Sequence, residues 1–165
     1  MTERLATWTP QDDNFSLSSR GIPTDELITV YRRWGQGGFG VILTGNIMID
    51  PSHLEATGNL VIPPNAPFSG ERFEKFQELA RECKKHGSLM IGQVSHPGRQ
   101  VGDHIQKNPI SASDVQLEGK VLGFTYAKPR PMKEEDFASV VEGFAHAAEY
   151  LYKAGFDGVQ LHAAQ

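Results

Sequence analysis

Three observations predict an α/β fold built as a (β/α)8 barrel. Helical and strand periods alternate regularly along the chain. The strand candidates are short apolar runs, as expected for a parallel sheet with helices packed outside it. Long polar loops follow the strands, while short glycine turns lead from each helix into the next strand. A barrel shows this asymmetry because its functional loops gather at the C-terminal ends of its strands. A doubly wound open sheet is the alternative, and it would carry a phosphate-binding glycine turn after its first strand.

The first helix is read from Leu27, Val30, Tyr31 and Trp34, spaced i, i+3, i+4, i+7. Thr24 is placed to cap it, and Asp25 and Glu26 sit in its first turn, where acidic groups favour the helix dipole. It ends in the glycines of WGQGGFG. The run GVILTG, 40–45, is the first strand. Ser69 is placed to cap the second helix, whose stripe is Phe73, Phe76, Ala80 and Cys83, and Gly87 is a natural stop. SLMIGQV, 88–94, is the second strand, and a long loop runs from Ser95 to about Met132. Loops of that length inside a domain are usually functional or disordered. The third helix carries Phe137, Val140, Val141, Phe144, Ala148 and Leu151 on one face. Gly155 ends it, and a third strand is expected over 157–162.

Gly35, Gly37 and Gly40 match the spacing G-x-G-x-x-G. A dinucleotide site needs that motif after a strand and opening a helix. Here it follows a helix and opens a strand, so it reads as a tight turn.

Composition narrows the function. The 165 residues suit one domain, with 39% hydrophobic and 22% charged residues, as in ordinary globular proteins. A net charge of −4 and the lack of any Lys/Arg cluster argue against a nucleic-acid partner. One cysteine, Cys83, excludes an intramolecular disulfide and a cysteine-based zinc site. MTERLATWTP has no apolar core of a signal peptide, and no apolar run approaches membrane-spanning length. A cytoplasmic protein without membrane association is the expectation. His53, His86, His104 and His146 are scattered without metal-ligand spacing, and no metal is expected. His86 sits at a helix end, where a cation favours the dipole.

Three strand ends carry polar groups: Thr44, Gly45 and Asn46; then Gln93, His96 and Arg99; then His162 and Gln165. In a parallel barrel all three open on one face. Gly45 would let a flat ligand approach the backbone. Gln93 offers a donor and an acceptor, which suits a heterocycle edge. His162 could donate to a carbonyl or anionic oxygen. An isolated Gln at a strand end is more often structural, so spacing alone reaches only a barrel-type small-molecule enzyme.

VILTGNIMID, IGQVSHPGRQ and AGFDGVQLHAAQ resemble successive motifs of the old yellow enzyme family, the FMN-dependent NADH:flavin oxidoreductases and ene-reductases. MTERLA resembles the end of that family's first barrel strand. The blocks occur in order with fitting spacing over essentially the whole chain. The resemblance implies a TIM barrel with FMN at its C-terminal mouth, NADH or NADPH as hydride donor, and an activated, enone-like alkene as substrate. It places Met1 and Thr2 beside the flavin ring, Gly45 under the flavin and Gln93 on its pyrimidine edge. It assigns His162 and Gln165 to the substrate's carbonyl oxygen, where the second position is usually His or Asn. The family's proton-donor Tyr would fall beyond Gln165, so no catalytic residue is assigned within 1–165. The resemblance spans roughly the first half of the barrel, which makes 1–165 a truncated N-terminal half with little activity alone. A non-catalytic half-barrel acting as a binding or assembly module, self-associated through its open edges, and a chain that recruits the other half from a second polypeptide are the alternatives.

Overall fold

The computed structural model describes residues 6–7, 17–120 and 123–163. Helix α1 spans Asp25–Gln36, strand β1 Val41–Met48, and a short β2 Leu60–Val61. Helix α2 spans Gly70–Lys84, and β3 Leu89–Ser95. Short strands β4, Ile110–Ser111, and β5, Arg130–Pro131, pair within the long loop. Helix α3, Glu134–Ala154, leads into β6, Gly158–Leu161. The main sheet has the order β2-β1-β3-β6, and every pair in it is parallel. The predicted alternation therefore holds, with three principal parallel strands each entered from a helix.

Local signals explain the boundaries. Thr24 is the N-cap of α1 and its hydroxyl accepts the Leu27 N–H at 3.3 Å. Gly155 closes α3 with φ 94°, a left-handed conformation that an L side chain resists. Asp157 then fixes the turn into β6. Its carboxylate accepts the Met90 N–H at 2.8 Å and pairs with Lys84 Nζ at 2.7 Å. One residue thus ties the end of α2, the start of β3 and the start of β6 together.

Three expectations need correction. Ser69 is the N-cap of α2, but its side chain makes no capping hydrogen bond. The first strand does not stop at Gly45; it runs to Met48, because β2 pairs with Ile47 and Met48 and extends the ladder. The stripe of α3 holds only in part. Leu151 is buried and Val140 and Phe144 pack against the core, but Phe137 and Val141 are exposed, and Gly143, Ala147, Tyr150 and Ala154 complete the buried face.

The core lies between the helices and the outward face of the sheet. Ile42, Ile47, Met90 and Val94 point from the strands into it, against Leu27 and Tyr31 of α1, Phe76 and Leu79 of α2, and Tyr150 and Leu151 of α3. Each such side chain contributes about 1.5–3 kcal/mol when fully buried. The Tyr150 ring meets Phe73 and Phe76 edge-on, with centroids 5.1 and 5.7 Å away. Among the described residues, no helix is long and apolar enough to cross a membrane.

Candidate functional site

The opposite face of the sheet is the one a barrel would turn inward. Strand register sorts its side chains into rows. Val41 lies opposite Leu89, and Leu43 lies opposite Ile91, which lies opposite Gly158. The next row is Asn46, Gln93 and Gln160, one from each strand. The face therefore changes from aliphatic to amide on moving toward the strands' C-terminal ends. The Gln93 and Gln160 side chains bond directly, Nε2 to Oε1, at 2.7 Å. That bond uses one donor of Gln93 and leaves its amide a second N–H and the carbonyl oxygen.

A β-bulge makes this row possible. Leu43 pairs with Ile91 and Asn46 with Gln93, so β1 advances three residues while β3 advances two. Thr44 and Gly45 share the extra step. Two side chains satisfy the displaced amides: Thr44 Oγ1 accepts the Gln93 N–H at 2.8 Å, and the Tyr31 hydroxyl accepts the Gly45 N–H at 2.9 Å. Without the bulge, Asn46 would fall on the outward face with the core side chains, because side chains alternate along a strand.

The structure places the sequence-derived candidates as follows. Gly45 is in the bulge and Gln93 in the amide row. The His162 N–H donates to the Val94 carbonyl at 2.9 Å and continues the β6 ladder. Strand alternation puts its side chain on the same face as Gln160, one row further toward the C-terminal end. Met1, Thr2 and Gln165 lie outside the described residues. Asn46 and Gln160 were missed as a pair with Gln93, because register across strands is not visible from any one segment. The alternation of Gln160 with His162 was the available signal.

A second polar cluster lies beyond the ends of β1 and β3, on a cavity of about 280 Å³. Asp50 Oδ2 lies 2.8 Å from His53 Nδ1, and the Ser52 hydroxyl donates to Asp50 Oδ1 at 2.7 Å. His53 stacks on His96 with ring centroids 5.2 Å apart. His96 Nδ1 accepts the Gly98 N–H at 3.2 Å, which puts the ring proton on Nε2. Burial would raise the Asp50 pKa, but hydrogen bonds from His53 and Ser52 outweigh it and hold the group at about 2. Burial, with His53 alongside, lowers His96 from 6.5 to about 4. Among the described residues, no group of three or more His, Cys, Asp or Glu is arranged to hold a metal ion.

These two groups contribute to an acid limit. A His with a lowered folded pKa stabilises the fold above its unfolded value and loses that contribution as pH falls, here from 6.5 to about 4. The Asp50 contribution is lost afterwards, from 3.8 down to about 2. The His96 stage corresponds to about 3 kcal/mol. Thermal midpoints followed by circular dichroism should fall as pH drops from 6.5 toward 4, and His96→Phe should flatten that part of the fall. A midpoint constant down to pH 4 in the unmodified chain would contradict this account.

Parallel strands clothed by helices on one side, with an amide row and a histidine on the other, define part of a (β/α)8 barrel with a polar C-terminal mouth. The chain belongs to the NADH:flavin oxidoreductase / NADH oxidase family, whose sequence model matches residues 14–165. It is 54% identical to the NADH-dependent flavin oxidoreductase nadA of Aspergillus parasiticus, over 99% of this chain and 36% of that protein. It is 34% identical to the NADH-dependent flavin oxidoreductase iccE of Talaromyces variabilis, over 90% of this chain and 39% of that one. Its fold is similar to that of an old yellow enzyme homologue from Zymomonas mobilis, with TM-score 0.71 and 24% identity, over 87% of this chain and 40% of that one. The chain therefore spans well under half the length of these relatives.

Proposed function

We propose that this chain supplies the ring-facing and substrate-facing part of an FMN-dependent oxidoreductase that reduces activated, enone-like alkenes with NADH or NADPH. The observation that carries this reading is the amide row Asn46–Gln93–Gln160 with His162 one row beyond it. A flavin's pyrimidine edge presents both donors and acceptors, and Gln93 retains one of each. Gly45, in the bulge beside that row, permits a planar ring to approach the backbone. The residues present therefore fit the ring. Bound flavin would supply the hydride chemistry. This chain's part is to orient the ring edge through Gln93 and to hold the substrate oxygen through the His162 imidazole, with Gln165 as its partner. An electron-poor alkene is activated when its conjugated oxygen accepts such a hydrogen bond, because negative charge develops there.

The phosphate of FMN carries the formal charge and needs cationic or backbone N–H partners. The family resemblance assigns those partners, and the proton-donor Tyr, to stretches that residues 1–165 do not match. Losing a positioned general acid costs about 10²–10⁴-fold in rate. Residues 1–165 alone are therefore expected to bind FMN and phosphate-free lumiflavin with similar, weak affinity and to reduce a simple enone negligibly. Quenching of flavin fluorescence measures the first, and NADH-dependent enone loss the second. Gln93→Leu should weaken both flavins alike. Binding indifferent to Gln93→Leu would count against the ring site, and stoichiometric flavin with multiple turnovers would refute the expected weakness.

A further inference from the structure

Two side-chain amides flank Gln93, and it bonds to one of them. Register sets Asn46 of β1 on one side of it and Gln160 of β6 on the other. Gln93 Nε2 donates to Gln160 Oε1 at 2.7 Å. Asn46 Oδ1, by contrast, is buried and has no hydrogen-bond partner among the described residues. A carboxamide has two N–H groups, one beside its own carbonyl oxygen and one directed away from it. Gln160 Oε1 fits the outer one, because on the inner one two carbonyl oxygens would crowd together. Gln93 then keeps its inner N–H and its oxygen side by side and parallel. That pair matches a ring edge on which an N–H stands next to a C=O, as in a cyclic imide.

We infer that Gln160 is a positioning residue: its side-chain oxygen locks the Gln93 amide in the one orientation that reads a cyclic-imide ring edge. This rests on the ring site proposed above, and it gives Gln160 a role that needs no contact between Gln160 and the ring. Without an acceptor at 160, the Gln93 amide is free to turn toward Asn46 Oδ1. That oxygen is desolvated and lacks a donor, and an unpaired buried acceptor is costly, so the turn is favourable. It would carry the Gln93 oxygen and inner N–H off the ring edge. A bound ring would also exclude water from the row, and the Gln93–Gln160 bond strengthens as the surroundings dry. Gln160 itself is exposed and adds nothing to the core. A Gln–Gln contact that merely joined β3 to β6 would have no effect on which ring is bound.

The test compares lumiflavin, whose ring edge carries an N–H between two carbonyls, with 3-methyllumiflavin, in which a methyl group replaces that hydrogen. Fluorescence quenching on the chain measures both affinities. The parent should prefer lumiflavin by about tenfold, as loss of a two-point contact predicts. Gln160→Leu should cut the preference to about threefold or less by weakening lumiflavin alone, since one misaligned hydrogen bond is worth no more. The thermal midpoint of the free chain should stay unchanged, because the position is exposed. Gln160→Glu keeps an acceptor and should restore the preference. In the free chain, Gln160→Leu should shift one of the two Gln93 side-chain N–H proton resonances more than the other. An unchanged preference in Gln160→Leu, or a loss that Gln160→Glu does not rescue, overturns the inference. Gln93→Leu scores the ring site separately. A preference that survives Gln93→Leu refutes the site itself, as does a parent chain that binds the two rings equally. A preference abolished by Gln93→Leu but intact in Gln160→Leu refutes only the role of Gln160.

Discussion

Gly35→Ala should leave little folded protein. Alanine in place of glycine inside a helix ordinarily stabilises it by up to about 1 kcal/mol. Here the sign reverses. A Cβ at Gly35 would collide with the backbone carbonyl oxygen of Cys83, and no rotamer of any side chain can relieve that contact. Helices α1 and α2 would have to separate. Separation would expose the Tyr31, Phe76 and Cys83 side chains, which are now 0–1% exposed. Overpacking costs about 1–3 kcal/mol where side chains can move, and backbone against backbone exceeds that. Whole-domain stability is only about 5–15 kcal/mol. Gly40→Ala is the matched control, because a Cβ there meets nothing within 4 Å. Circular dichroism melts of the two variants separate the possibilities. A dinucleotide-binding role for the glycines of GQGGFG would predict the reverse pattern, with folding intact in both and nucleotide binding lost. A Gly35→Ala variant that melts like the parent chain would remove the close-packing account.

The residues that were legible in the sequence are those whose signal is local. Thr24 and Gly155 mark helix ends by their own chemistry, and Val41, Ile42, Met90 and Val94 belong to apolar runs bounded by glycine or polar residues. The order of elements then led directly to the parallel sheet. What escaped depends on pairing between distant segments. The bulge at Thr44 and Gly45 exists only relative to β3, so VILTGNIM gives no sign that it contains an extra residue. The α3 stripe is only partly right for a related reason. A barrel helix touches the sheet and two neighbouring helices, so its apolar arc is wide. Three of the residues it buries, Gly143, Ala147 and Ala154, are small and carry little hydrophobic signal. Phe137 and Val141 are louder in the sequence and belong to the flank. In the candidate site, Gln93 and His162 are found one strand at a time, whereas the pairing of Gln160 with Gln93 depends on register between β3 and β6.

Thr44→Val should destabilise the chain and disturb the amide row, although the two side chains have nearly the same shape. Thr44 is 3% exposed, and its hydroxyl accepts the Gln93 N–H. Valine fills the same space but offers no acceptor. The Gln93 amide would then be unpaired inside the sheet, at a cost of about 1–3 kcal/mol. Tyr31→Phe does the equivalent to the Gly45 N–H, the other displaced amide of the bulge. The two losses should not add, because both amides serve one distortion. Once either is unpaired the bulge can relax, so the double variant should fall short of the summed effects, as coupled neighbours do. Thr44→Ser keeps the acceptor and should stay near the parent. Urea unfolding gives the energies, and the side-chain NH₂ resonances of Gln93 and Gln160 report on the row itself. In Thr44→Val those resonances should shift with the loss of their mutual hydrogen bond. Unchanged Gln93 and Gln160 resonances in a destabilised Thr44→Val variant would separate the bulge from the site and leave Thr44 a purely structural residue.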